Sequence, residues 1–134
     1  MSITWVGTIL IIKNGLSELD LISSYLENQG YEIIKANTAQ EALEIALEVK
    51  PDTIITDVVM PGRSGFEVCR FLKNHLLNHN ISIVVCSEKR QEMHRIWARK
   101  QGADAYFTTP LNLDDLLSVI QSLTLPQFKV KMKL

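Results

Sequence analysis

Asp57 closes an apolar, β-branched run, Thr53-Ile54-Ile55-Thr56, and opens a loop that carries Pro61, Gly62 and Gly65. A single aspartate in that position usually caps a turn. Here it has company. Ser87 follows the apolar run Ile81 to Cys86, Thr109-Pro110 follows Ala105 to Thr108, and Lys13-Asn14 follows Thr8 to Ile12. A carboxylate, two hydroxyls, an ammonium and an amide thus each stand at the carboxyl end of a strand-like segment. Such ends are where ligands and chemistry gather in open α/β sheets. The Thr109-Pro110 bond can adopt cis and so fix the loop beside the last of them. Other groupings are weaker. His75 and His79 have the four-residue spacing of a zinc pair, but no third ligand accompanies them, and imidazoles near a helix end suit its dipole. Cys86, next to Ser87, reads as a small residue packed at a strand end rather than a redox handle.

The elements that position these residues follow from periodicity. Thr8 to Ile12 is a continuous apolar run, the mark of a strand buried on both faces. Ser17 offers a helix N-cap with Asp20 three residues on, and Leu19, Ile22 and Leu26 recur at helical spacing until Gly30. Tyr31 to Ala36 is a second strand. Thr38 with Glu41 forms a capping box ahead of Ala42, Ile45, Ala46 and Val49, and Pro51 closes that helix. Thr53 to Thr56 is the third strand, and a helix runs from about Phe66 to Leu77. Ile81 to Cys86 is the fourth strand. A helix with Met93, Ile96 and Trp97 stops at Gly102, Ala105 to Thr108 is the fifth strand, and Asn112 with Asp115 caps a last helix through Leu123.

Five strand–helix units with apolar strands predict a parallel sheet covered on both faces, three layers in all. Right-handed crossovers leave few topologies, and the flavodoxin-like order 2-1-3-4-5 is the one adopted here. Its switch point falls between strands 1 and 3, beside Lys13, Asn14 and Asp57.

Composition sets the outer limits. The chain has 134 residues, 46% hydrophobic and 22% charged, with six Gly and four Pro, which fits one globular domain and excludes disorder and collagen-like repeats. Fourteen basic residues against fifteen acidic ones give a net charge of −1, too balanced for a protein built to grip nucleic acid or an anionic membrane. The two cysteines, Cys69 and Cys86, lie in apolar runs without zinc-like spacing, so a reducing cytoplasm is the expected setting. No stretch is long and apolar enough to span a membrane, and the start lacks the pattern of a signal peptide.

These residues, taken together, resemble the receiver domain of bacterial two-component response regulators over about residues 7 to 124. The match rests on Asp57-x-x-Met60-Pro61-x-x-x-Gly65, Ser87, the run Gly102-Ala103-Asp104-Ala105-Tyr106, and Pro110. The resemblance implies that Asp57 accepts a phosphoryl group from a histidine kinase or phosphotransfer protein. Ser87 would turn toward the phosphoryl oxygens, and Tyr106 would change its packing in step. It also implies Mg²⁺, held by an acidic pair after strand 1, by Asp57 and by the carbonyl two residues later, that of Val59. A hard cation of this kind needs oxygen ligands, and phosphoryl transfer needs positive charge on the equatorial oxygens.

Three positions depart from that pattern. Lys13 and Asn14 replace the acidic pair, leaving Asp57, the Val59 carbonyl and Asn14 as the metal set. Thr109 replaces the lysine that precedes the proline after strand 5. Glu88 replaces the small residue after the switch hydroxyl. Lys13 and Asn14 move the pocket from −2 to +1, and a unit pair about 4 Å apart is worth roughly 4 kcal/mol at a partly buried effective dielectric. Lys13 is therefore expected to repel Mg²⁺ and to pair with Asp57.

The expected role is a signalling receiver without dedicated substrate turnover, residues 1–124 forming the domain and 125–134 a tail of unreadable role. Its partners would be a kinase or phosphotransfer protein and an output protein at the helix 4–strand 5–helix 5 face, with self-association left open and neither nucleic acid nor membrane bound. Too few residues follow helix 5 for an output domain. The alternative keeps the fold and drops phosphorylation: a pseudo-receiver acting as a protein–protein adaptor. A small flavin-binding or hydrolytic enzyme is the remote third reading. The loop Lys13-Asn14-Gly15-Leu16-Ser17 lacks a phosphate cradle, and no Ser-His-Asp or Cys-His pattern is present. Trp97 suits packing or an exposed contact equally, and Lys89, Arg90, Arg95, Arg99 and Lys100 read as a solvated basic face.

Overall fold

The computed structural model describes residues 5–12, 18–57, 65–75, 81–88 and 91–124. Strands and helices alternate along the chain: β1 (Gly7–Ile12), α1 (Glu18–Asn28), β2 (Tyr31–Ala36), α2 (Ala39–Val49), β3 (Thr53–Thr56), α3 (Gly65–His75), β4 (Ser82–Ser87), α4 (Glu92–Lys100), β5 (Ala105–Thr108) and α5 (Leu113–Thr124). All pairings are parallel, as the apolar strands predict, and the order is β2-β1-β3-β4-β5, the expected flavodoxin-like one.

Because side chains alternate across a strand, each continuous apolar run feeds two cores. Leu10, Ile12, Ile54, Ile83 and Val85 pack with Ala42, Ala46, Leu72 and Ala98 beneath α2, α3 and α4. Ile9, Ile11, Ile55, Val84 and Cys86 pack with Leu19, Ile22, Leu26, Leu116 and Ile120 beneath α1 and α5. Full burial of each large aliphatic side chain contributes about 1.5–3 kcal/mol before entropy is counted, so the two-sided strands are the main source of stability. Tyr25 joins the helices over the second core, its hydroxyl donating to Asp114 Oδ1 at 2.6 Å.

Capping fixes where the helices start and stop. Thr38 Oγ1 accepts from the Glu41 N–H at 3.1 Å, while Glu41 Oε1 reaches back one residue further than a standard box, to the Asn37 N–H at 3.2 Å. Asn112 Oδ1 caps α5 through the Asp115 N–H at 3.0 Å. The stop of α2 falls just ahead of Pro51, as expected. Lys50 adopts a left-handed conformation with φ 55° and returns its N–H to Ala46, so the helix has ended before Pro51. Gly30 and Gly102 terminate α1 and α4 with φ of 98° and 104°. β4 also runs one residue later than expected and includes Ser87, whereas α3 starts one residue earlier, at Gly65. Ser17 and the end of the expected third helix lie outside the described residues, as do His79 and the tail 125–134.

The amino ends of the strands are closed by two aspartates. Asp52 Oδ2 accepts the Thr8 N–H at 2.8 Å, and its own N–H bonds the Thr8 carbonyl at 2.9 Å. Asp104 Oδ2 accepts the Ile83 N–H at 2.8 Å and the Lys73 ammonium at 3.0 Å, while Lys73 also bonds the Ile81 carbonyl. Gly102 makes room for this: a Cβ there would lie 2.6 Å from Lys73 Cγ. That end is fully stapled, and the opposite end carries the candidate site.

Candidate functional site

Parallel pairing puts the ends of β3, β4 and β5 side by side. Thr56 is level with Val85, and Ser87 with Thr108. Asp57 and Thr109, each one past its strand, and Ser87, the last residue of β4, therefore rise together over the same carboxyl edge. All three are buried: Asp57 is 8% exposed, Ser87 0% and Thr109 6%. Thr56, the neighbour of Asp57 on β3, is fully covered as well. Main-chain bonds hold the cluster in shape. The Thr109 N–H donates to the Ser87 carbonyl at 3.0 Å, and the Thr56 hydroxyl donates to the Asp57 carbonyl at 3.1 Å. The Thr109–Pro110 bond is cis.

Tyr106 reaches the same cluster from β5. Its ring packs against the core under α4, and its hydroxyl is hydrogen-bonded to Ser87. Burial raises the phenol pKa above its ordinary value, and the Asp57 carboxylate raises it further. The Ser87 bond and the Arg95 guanidinium pull the other way. A strand-end carboxylate, a hydroxyl and an aromatic hydroxyl are thus in electrical and hydrogen-bond contact.

Lys13, Asn14 and Val59 lie outside the described residues, so Asp57 is the one described member of the expected metal set. A hard divalent cation takes six or more oxygens, several of them from water. Among the described residues no group of three His, Cys, Asp or Glu side chains is placed to hold a metal ion. Asp57 supplies one carboxylate and nothing described completes the set. Glu88 is exposed beside buried Ser87 and puts a further negative group at the rim. Thr109 contributes a hydroxyl-bearing side chain where a cation was expected, so the described part of the cluster is acidic and hydroxylic.

Sequence reasoning missed Arg95. It was grouped with the basic residues of a solvated face, yet its guanidinium lies 5.2 Å from the Tyr106 ring centroid and Nη1 donates to the Tyr106 carbonyl at 3.2 Å. A helix-to-strand contact eleven residues apart leaves no periodic signal. Trp97 is 46% exposed and meets His94 edge-on at 6.1 Å, so the exposed-contact reading applies to it. Met93 and Ile96 are exposed to a similar degree on the same helix. Between α4 and β5 a concave depression of about 260 Å³ is lined by Arg95, Ile96, Arg99, Asp104 and Tyr106, among others. His75 lies in α3, but its side chain and His79 are outside the described residues. Cys86 is fully buried in the core under α1 and α5. No helix of the described residues is long and apolar enough to cross a membrane.

Known proteins place this geometry. The chain is 31% identical over 117 residues to protein PilH of Pseudomonas aeruginosa, covering 87% of this chain and 97% of PilH. It is 34% identical over 115 residues to the phosphate regulon transcriptional regulatory protein PhoB of the same organism, covering 86% of this chain and half of PhoB. Among solved structures, the chemotaxis response regulator CheY4 of Vibrio cholerae superposes with a TM-score of 0.79 at 26% identity, covering 90% of this chain and 99% of CheY4. A response regulator receiver domain protein from Clostridium thermocellum superposes at 0.80 with 27% identity, over 95% and 98% of the two chains. The pattern that defines the response regulator receiver domain matches residues 9–121. On that evidence the chain belongs to the response regulator receiver domain family of two-component signalling.

Proposed function

We propose that this receiver takes a phosphoryl group on Asp57 from a histidine kinase or phosphotransfer protein and presents its α4–β5–α5 face to an output protein. The observation that carries this reading is the convergence of buried Asp57, Ser87 and Thr109 at one sheet edge, with Tyr106 bonded to Ser87. In the transfer, an Asp57 carboxylate oxygen attacks phosphorus and the P–O bond forms as the donor's P–N bond breaks. The imidazole leaves with the electron pair and takes up a proton. Ser87 then donates to a phosphoryl oxygen in place of its present contact.

Positive charge must offset the three equatorial oxygens. A divalent ion supplies that charge when bound, and Asp57, the Val59 carbonyl and Asn14 are the residues that would hold it. Lys13 is assigned the competing role: an ammonium that pairs with Asp57 and then with the phosphoryl group. Because this cluster substitutes a cation for two carboxylates, phosphorylation is expected to depend less on Mg²⁺ than in a receiver with an intact acidic pair.

The test incubates the protein with a small phosphodonor, with Mg²⁺ and with chelator, and reads intact mass. A gain of about 80 Da, the mass of one phosphoryl group, that disappears in Asp57→Asn supports the reading. No gain in either condition, or a gain that survives Asp57→Asn, overturns it. A double-mutant cycle on Lys13→Ala and Asp57→Asn is expected to give a coupling of about 1 kcal/mol or more, and additivity would remove Lys13 from the site.

A second reading is favoured by the replacements Lys13, Asn14, Thr109 and Glu88: a phosphorylation-independent pseudo-receiver that works as an adaptor in one arrangement. It predicts no mass gain together with partner binding unchanged by Asp57→Asn.

A further inference from the structure

Arg95 grips Tyr106 at two points. Nη1 donates to the Tyr106 main-chain carbonyl at 3.2 Å, and the guanidinium lies 5.2 Å from the centroid of the Tyr106 ring. One planar cation thereby fixes both the backbone and the ring of the same residue, which a lysine ammonium cannot do with equal geometry. β5 is the outermost strand of the sheet, so this carbonyl takes a donor from α4 rather than from another strand. At its far end, the Tyr106 hydroxyl is bonded to Ser87. Arg95 belongs to α4, whose Met93, Ile96 and Trp97 are all nearly half exposed. A continuous chain of contacts therefore runs from Ser87 through the Tyr106 phenol and ring to Arg95, and from there along a rigid helix to the exposed apolar residues.

We propose that Arg95 is the positioning residue that makes α4 follow Tyr106, so that a change at Ser87 reaches Met93, Ile96 and Trp97. The use of this link in signalling rests on the receiver reading above, whereas the link itself does not depend on phosphorylation. Two features of the surroundings make Arg95 the natural joint. The other cation of the depression, Arg99, sits one turn on and repels rather than holds it. Buried Ala98 of α4 and half-buried Ala103 just after it pack into the core by apolar contact, which permits sliding where a directed bond does not. The balancing acids, Glu92 and Asp104, line the same depression.

The experiment uses Ser87→Ala as the perturbation, since it removes the hydroxyl that Tyr106 bonds. NMR signals of the Met93 methyl and the Trp97 indole report on α4. In the wild-type background Ser87→Ala is expected to shift both. In the Arg95→Ala background the same change is expected to shift them less, by about twofold or more, and Arg95→Lys should recover part of the response by restoring a cation over the ring. A second readout is the Tyr106 phenol titration, taken as the difference from a Tyr106→Phe control: Arg95→Ala should move it further upward. Arg95→Gln, which keeps a donor and most of the stem, serves if the alanine variant does not fold. An undiminished response to Ser87→Ala without Arg95, or a phenol titration unmoved by its loss, overturns the proposal. Loss of coupling in a protein that gains no phosphoryl mass would keep the link and discard the receiver reading. A normal mass gain with coupling intact after Arg95→Ala would do the reverse.

Discussion

Asp104 and Asp57 stand at opposite ends of one sheet, and the same side chain is put to opposite uses. At the amino end, Asp104 takes the Ile83 N–H and the Lys73 ammonium, and Asp52 repeats the device on Thr8. These carboxylates extend the sheet's own hydrogen bonding by one rung, and their chemistry is spent on structure. At the carboxyl end, Asp57 is buried beside Ser87 and Thr109, residues that end strands and begin loops. Burial of a carboxylate among hydroxyls contributes little to stability, and under the function proposed above Asp57 is kept for what it can react with. The contrast shows that the surroundings of an aspartate here are set by which end of the strand it occupies: a hydrogen-bonded brace at one end, a buried cluster of hydroxyls at the other.

The sharpest way to break that contrast is to exchange the consequences of the two residues. Asp57→Asn is expected to abolish phosphoryl uptake altogether, as read by intact mass, while Asp104→Asn should leave uptake in place. Next in size, Asp104→Ala removes an acceptor from the Ile83 N–H and should cost about 2 kcal/mol in urea unfolding. The Lys73 ion pair adds little to that figure because both side chains are about a third exposed. Gly102→Ala should cost about 1–2 kcal/mol by the same measurement, since φ is 104° and the new methyl would press on the Lys73 stem. A cost near zero would mean that the amino end is less tightly closed than its bonds imply. The smallest effect is on pH dependence. The folded Tyr106 phenol titrates above the ordinary value near 10, so folding retains a proton that the unfolded chain releases. Its contribution is fully present below that pH and is lost as pH climbs through the folded value. Tyr106→Phe should flatten the alkaline limb of a stability profile, on top of a pH-independent loss from the missing Ser87 bond, and Tyr25, raised mainly by its bond to Asp114, accounts for part of the slope that remains.

Much of the architecture was written in local pattern. β2, β3 and β5 fall where their β-branched runs lie, and Thr38 and Asn112 cap α2 and α5 because short polar side chains offer an acceptor at the right distance. Alternation and crossover handedness narrowed the strand order to a few, of which 2-1-3-4-5 is one of the two common choices. Asp57, Ser87 and Thr109 converge because each ends a strand, and that placement was legible too. Arg95 was not, since a contact between helix and strand depends on how α4 is rotated over β5. The end of α2 ahead of Pro51 was legible as well, although nothing in the composition announces that Lys50 takes the left-handed turn that caps it. Asp104 was noted only as part of a run, as its partners Lys73 and Ile83 come from separate elements.

The core beneath α1 and α5 has a consequence for biogenesis. Leu116 and Ile120 cover Ile9, Ile11, Ile55 and Val84, yet they emerge from the ribosome after every strand has been made. Until α5 arrives, α1 covers only part of that side of the finished sheet and the rest is a bare aliphatic surface, while Tyr25 waits for Asp114 across 89 positions of sequence. A nascent chain of this protein must be shielded on that side during synthesis, and a truncation before Leu113 should yield aggregates rather than a smaller folded domain.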